Sequence, residues 1–400
     1  MTRGSSTNPR ARATTPRSQP TRQPTRKPTV RVTPATAKKK PTARKATTAR
    51  KNTRATPTRS RSTNRVRRVA RPQAPAVFWL IVATVGLLCL IGLIMVLSAS
   101  SVTANRVYGT ALYYFKRQAQ WLVLGLIALF GASRFDYHRL AKLAPMLMTV
   151  TSVGLVVVLF HTPFTKSVNG SARWFDIAGV SFQPSELAKL SVILWVATML
   201  HQRRRELGDW RRTILPITVG LGVLGLLIIL EPDLGTVVML AAIAAVMLVV
   251  AGARLDVLAI IGVGSGALLF GLSQLGYHRA RWDSLDPWKD KLGTGWQSLQ
   301  SQVGVASGGL LGCLAVIVAF GILLGAGIKV SRGAPDMLGS LLAIGIATWI
   351  GVQAFVNIGV TLGVLPNKGV TLPFVSYGGS SLLITLFTTG VLLNIARQST

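Results

Sequence analysis

Acidic residues are almost missing from this chain. Twelve Asp and Glu stand against 45 Lys and Arg in 400 residues, and the first acid is Asp136. Chemistry built on clustered carboxylates therefore has little to draw on. The two cysteines, Cys89 and Cys313, both fall inside apolar runs. They read as small buried hydrophobes, which excludes a disulfide framework. Four histidines (His138, His161, His201 and His278) are scattered without ligand spacing, so no protein-built metal site is expected. There is no Walker loop, dinucleotide glycine fingerprint, zinc motif or Ser–His–Asp order, which argues against ATP-driven transport. No cleavable signal peptide is visible either, because the first apolar run starts too late.

What is present divides in two. Residues 1–75 hold 22 of the 45 basic residues, between Arg3 and Arg71, with almost no large apolar side chain. Such a segment has nothing to bury and is expected to be a disordered basic cytoplasmic tail. Its charge suits anionic lipid, with Arg65 to Arg71 well placed to meet headgroups. A specific nucleic-acid partner is not expected.

Residues 76–397 read as a polytopic membrane domain. Apolar runs of bilayer-spanning length recur throughout it. Ten spans are expected, near 77–100, 114–133, 140–160, 184–201, 213–230, 235–252, 256–275, 311–330, 338–360 and 380–396. The basic tail sets the N-terminus inside. Arg134 with Arg139, then Arg203-Arg204-Arg205, Arg254, and Lys329 with Arg332 then fall on alternate junctions. The fold class is thus an all-α integral membrane protein with both termini cytoplasmic. Arg106, Lys116 and Arg117 run against the bias at the first outer junction.

The segments expected on the outer face hold most of the candidate chemistry. Pro366 to Ser381 is broken by two prolines and several glycines, yet it carries Val370, Leu372, Phe374, Val375 and Tyr377. Non-helical backbone at membrane depth is tolerated inside protein or beside a water-filled cavity. The segment is either a tight interhelical loop or the lining of a cavity.

Pro184 suits the first position of a helix, and Glu186 the positive end of its dipole. Lys189 shares a face with Glu186, one turn into apolar sequence where a lone cation is costly. The pair is either an intramembrane lock between helices or, with Arg173, a cationic pocket for phosphate. Asp233 is placed to cap the span that follows it, or to act in catalysis. Trp282, Trp288 and Trp296 are interfacial anchors or contacts to a sugar.

In these motifs the chain resembles the SEDS family (shape, elongation, division and sporulation), its division branch above all. The resemblance rests on Gly170-Ser171-Ala172-Arg173-Trp174, Gln183-Pro184-Ser185-Glu186-Leu187-Ala188-Lys189, Pro232-Asp233-Leu234-Gly235-Thr236, Gln353-Ala354-Phe355-Val356-Asn357 and the Pro366–Ser381 stretch. They stand in the family's order across residues 77–397. The resemblance implies the SEDS fold and a peptidoglycan glycosyltransferase. Such an enzyme polymerises lipid II in the bacterial cytoplasmic membrane at the septum and releases undecaprenyl pyrophosphate. It implies a class B penicillin-binding transpeptidase and other divisome proteins as partners.

By carry-over, Arg173, Glu186 and Lys189 hold the lipid or shape its cavity, together with Lys368, Ser376, Gly378 and Gly379. The resemblance leaves room for a divalent cation, magnesium or manganese, at the leaving pyrophosphate; no motif here binds one. One departure stands out. The family's outer loop bearing the acid expected to act as base is absent, because Gly312 runs directly into Cys313-Leu314-Ala315-Val316. No catalytic residue can be assigned. A lipid II flippase and a noncatalytic divisome scaffold remain the alternatives.

Overall fold

The computed structural model describes residues 75–160, 162, 164–168, 171–177, 180–274, 296–366 and 370–399. The expectations for the basic tail, for Trp282 and Trp288, and for Lys368 lie outside the described residues.

Eleven helices are described: α1 (Ala76–Tyr108), α2 (Tyr113–Arg134), α3 (Tyr137–Lys142), α4 (Ala144–Leu159), α5 (Pro184–Gln202), α6 (Ile214–Leu230), α7 (Leu234–Val250), α8 (Leu255–Ser273), α9 (Trp296–Arg332), α10 (Met337–Thr361) and α11 (Gly379–Gln398). Five of these contain stretches long and apolar enough to cross a membrane: α1, α8, the Gly312–Arg332 part of α9, α10 and α11. Helices α4, α6 and α7 are apolar but shorter. α5, α10 and α11 form the centre, with most of their residues buried. α8 has no buried residue.

The helices alternate in direction and so define two ends. One end carries Arg134, Arg139, Arg203 to Arg205, Arg254, Lys329 and Arg332. The other carries the connections after α1, α4, α6 and α10; we call it the sheet end. That name reflects a difference from the all-helical expectation. Residues between α4 and α5 fold into three short antiparallel strands in the order β1 (Thr165–Val168), β2 (Ser171–Ile177) and β3 (Val180–Phe182). Phe175 pairs with both Thr165 and Phe182 across the two ladders. The β1–β2 register slips between Lys166 and Ser167, and Arg173 is the extra residue of β2 at that step.

Two helices also depart from the expected spans. The span expected over 140–160 is split at Leu143, where α3 ends and α4 begins with Pro145 in its first turn. A proline there costs no helical hydrogen bond, whereas inside a continuous helix it would. The span expected over 311–330 is the second half of α9, which runs unbroken for 37 residues. At 1.5 Å per residue it is about 55 Å long, well beyond a hydrocarbon core of about 30 Å.

At the arginine end, one histidine ties two helix starts together. His138 Nδ1 lies 2.8 Å from Asp136 Oδ1, and Nε2 lies 2.7 Å from Asp336 Oδ2. Asp136 caps α3, while Asp336 caps α10 through Gly339 N and accepts from the Tyr137 hydroxyl. A neutral imidazole has one N–H and can serve only one of these carboxylates; imidazolium serves both. Burial acts to lower the His138 pKa, but the hydrogen bonds to Asp136 and Asp336 outweigh it and raise it. The folded state therefore binds the proton more tightly than the unfolded chain does. The stability from this clamp is fully present below about pH 6.5 and fades as pH rises through the raised value. Thermal unfolding in detergent should show a midpoint that falls between about pH 6 and about pH 8, and His138→Gln should flatten that slope. An unchanged slope in the variant would assign the pH response to other groups.

Candidate functional site

The site is built around one buried cation. Pro184 occupies the first turn of α5, as its missing N–H allows. Glu186 sits in that turn, and Lys189 follows one turn later. Lys189 is 1% exposed and Glu186 is 7% exposed. An ammonium in such a place needs compensation on every side. Lys189 Nζ donates to Glu186 Oε1 at 2.8 Å and to Gln353 Oε1 of α10 at 3.0 Å. The Trp349 ring lies below it, 5.1 Å to the centroid, which adds a cation–π contact. Trp349 Nε1 donates to the same Gln353 oxygen at 2.6 Å.

The network continues into the broken segment. The Gln353 amide donates to the Thr371 carbonyl at 2.8 Å, and Asn357 Nδ2 donates to the Val370 carbonyl at 2.6 Å. Ser381 Oγ, in the first turn of α11, donates to Glu186 Oε2 at 2.9 Å. It lies 3.3 Å from Thr371 Oγ1. A hydroxyl has one proton to give, so Thr371 is the donor of that last bond. The ion pair thus holds α5, α10, α11 and the segment between the last two in one set of hydrogen bonds.

The rest of the segment is shaped by close packing. Phe374 adopts a left-handed backbone (φ 64°) that costs a non-glycine residue on the order of 1 kcal/mol or more. Gly92 of α1 admits it: a Cβ there would fall 2.5 Å from the Phe374 carbonyl oxygen. Ser376 Oγ accepts from Leu372 N at 3.0 Å. Gln118 of α2, buried, reaches the Ser376 carbonyl at 3.4 Å and the Gly378 N–H at 3.5 Å. Gly379 opens α11 flush against Trp121, with no room for a side chain. Ser376, Gly378 and Gly379 therefore form a turn wedged between α1 and α2, while Lys368 lies outside the described residues.

Arg173 bonds a different part of the fold from Lys189. Its Nε donates to the Glu231 carbonyl at 2.8 Å and its Nη2 to the Pro232 carbonyl at 2.6 Å. It clamps the turn between α6 and α7. In that turn Asp233 caps α7, with Oδ1 accepting from Thr236 N and Oδ2 from the Thr236 hydroxyl. Among the described residues the Glu231 carboxylate has no hydrogen-bond partner, although Glu231 is only 1% exposed. Desolvation, with the Asp233 charge behind it, pushes its pKa up to about 8 against the opposing pull of Arg173. Among the described residues, no group of three or more His, Cys, Asp or Glu is disposed to hold a metal ion.

Sequence reasoning singled out Glu186, Lys189 and Arg173 but passed over Gln353, Trp349, Thr371, Ser381 and Glu231 as site residues. A signal existed for one of them. Gln353 and Asn357 are two amides four apart in an otherwise apolar helix, hence on one face and in need of partners.

Two outcomes test this geometry. Lys189→Met leaves the Glu186 charge buried without a cation and should cost about 3–5 kcal/mol; the double variant Glu186→Gln with Lys189→Met should recover most of it. Unfolding free energies arranged as a double-mutant cycle measure the difference, and additive losses would show the two do not interact. Glu231, with its folded pKa raised, lowers stability as pH climbs from its unfolded value to about 8. Glu231→Gln should therefore be near neutral at low pH and stabilising by a few kcal/mol, in order of magnitude, above about pH 8. A variant that loses stability there would show the carboxylate has a partner.

Comparison with known proteins follows the same geometry. The sequence model of the FtsW/RodA/SpoVE family, described as "Cell cycle protein", matches residues 78–313 and 309–400. These two matches meet and overlap at 309–313, where Gly312 joins Cys313. Stage V sporulation protein E of Bacillus subtilis is 36% identical over 350 residues, covering 78% of this chain and 95% of the relative. The probable peptidoglycan glycosyltransferase FtsW of Geobacter metallireducens is 33% identical over 355 residues, covering 80% and 94%. A chain from a solved peptidoglycan synthase complex, described for its coordination of polymerization and crosslinking, superposes with a TM-score of 0.67. It is 30% identical and covers 80% of this chain and 97% of its own length.

Proposed function

This chain belongs to the FtsW/RodA/SpoVE family of cell cycle membrane proteins, and from that premise we propose that it polymerises lipid II as a peptidoglycan glycosyltransferase. The reaction joins disaccharide units by β-1,4 bonds and releases undecaprenyl pyrophosphate. We place it in the bacterial cytoplasmic membrane at the septum, with the sheet end outward and a class B penicillin-binding transpeptidase as its partner. The relatives named as peptidoglycan glycosyltransferases and the synthase complex support a role in cell-wall synthesis.

The observation that carries the reading is the Lys189–Glu186 pair, linked through Gln353 and Ser381 to Thr371 of the non-helical Val370–Gly378 segment. Lys189 is held by one carboxylate and one neutral amide, and on the amide side an anionic group can compete. A diphosphate arriving from the sheet end would take the place of Gln353 on Lys189, and the freed Gln353 would loosen Thr371. Binding of the charged leaving group would thereby be coupled to the shape of the turn at Ser376. A preset cation at the point where charge develops lowers the barrier to its departure.

A second reading is favoured by one specific observation. α9 passes without interruption through Gly312 and Cys313, the point at which the family match breaks into two. The loop that would bring the general base is not there. On this reading the chain binds its transpeptidase and organises septal synthesis without forming bonds itself.

Purified full-length protein with its transpeptidase and labelled lipid II separates these readings. Glycan ladders on a gel, abolished by Lys189→Ala, are the outcome expected of the polymerase. Complex formation with no ladder would establish the scaffold instead. Lipid movement across vesicles with no ladder would establish a flippase.

A further inference from the structure

A second cavity lies at the sheet end, outside the Lys189 network. It is a groove of about 510 Å³ between the last turns of α1, the first turn of α2 and the Val375–Tyr377 turn. That volume lies in the range of small-molecule sites. Met95, Ala99 and Thr103 line its α1 wall at helical spacing, and Tyr114, Ser376 and Tyr377 line the other. The wall thus changes along α1 from thioether to methyl to hydroxyl. This is the gradient met by a molecule with a lipid end and a polar end.

Tyrosine rings line the polar end, and cations follow the lining residues in sequence on α1 and α2. Tyr114 packs edge-on against Tyr377, while Tyr113 stacks on Tyr108 at 3.8 Å. Tyr108 and Tyr377 remain exposed. Rings at this level suit stacking on sugar faces as well as anchoring in the interface. Arg106 continues the α1 stripe one turn beyond Thr103, and Arg117 follows Tyr114 by one turn and bonds the Tyr113 hydroxyl at 3.4 Å. With Lys116 they give this junction three cations and no acid between Val102 and Gln118. On an outward-facing junction such a cluster runs against the usual distribution of basic residues. An anionic ligand resolves that conflict.

We propose that this groove binds the phosphate-bearing saccharide head of a polyprenyl-linked glycan, as a lipid-substrate subsite distinct from Lys189. The proposal rests on the polymerase reading, since forming a strand requires two lipid-linked saccharides to be held at once. The groove and the Lys189 network share the Val370–Gly378 segment, one on each side of it. Occupancy of the groove would press on Ser376 and Tyr377, whose backbone leads to Ser381 and, through the Ser381 hydroxyl, to Glu186.

The test is photo-crosslinking of the full-length protein in phosphatidylethanolamine nanodiscs with radiolabelled lipid II. A benzophenone amino acid replaces Thr103 in the groove or, as a control, Val123 on the lipid-facing side of α2. Label at 103 should exceed label at 123 several-fold. It should fall to the control level in the Arg106→Gln/Arg117→Gln double variant and in Ala99→Trp, with thermal stability unchanged. Equal labelling at both positions would overturn the proposal. So would loss of label to excess phosphatidylglycerol, which would make this an ordinary anionic phospholipid site. Preferential label without glycan ladders would sink the polymerase reading and leave the subsite standing; ladders without preferential label would do the reverse.

Discussion

A buried lysine ammonium dictates the centre of this protein. Lys189 cannot be left alone in the bilayer interior, and each of its partners makes a further demand. Glu186 brings a second charge, which needs Ser381. Gln353 brings an amide whose own N–H must go somewhere, and it goes to Thr371. Thr371 satisfies Ser381 in turn. The chain of obligations closes only because α5, α10, α11 and the segment before α11 meet at one place. A purely apolar centre would allow these helices to slide past one another; this one favours the arrangement in which Lys189, Glu186, Gln353 and Ser381 are all paired.

That constraint explains why the segment before α11 is both irregular and ordered. Its backbone groups are held from below by amides on α10 and from the side by Gln118. The strain at Phe374 persists because the surrounding contacts over-determine it. The same segment then presents its far side, Ser376 and Tyr377, to a groove that the ion pair never touches. One short stretch of chain separates a sealed charged site from an open amphipathic one.

Much of this was legible before any coordinates. The periodic apolar runs announce the helices, Pro184 and Asp233 announce their starts, and Glu186 with Lys189 announces a pair by spacing alone. Other features were hidden for physical reasons. Of the three strands between α4 and α5, β1 and β3 have only four and three residues, too brief an alternation to stand out, and the register of the seven-residue β2 slips at Arg173. The break at Leu143 lies where the basic α3 meets the apolar α4, and Pro145 is the residue that hints at it. Arg173 looked like a phosphate ligand because a guanidinium is the usual choice for one. Only the fold shows that its nearest acceptors are the carbonyls of Glu231 and Pro232, residues nearly sixty positions away. The Glu231 carboxylate could not be distinguished from a surface acid, because burial at a turn leaves no trace in composition.

The continuity of α9 has a consequence of a different kind. A loop absorbs a change in length by rearranging locally, but a helix converts each added or deleted residue into a turn of about 100° and a shift of about 1.5 Å. The stretch beginning at Trp296 is joined rigidly to a membrane span, so its facing is set by the number of residues between them. The outer half of α9 therefore works as a shaft whose phase is written in its length. Whatever it meets beyond the membrane, it meets at an angle that the span below has already chosen.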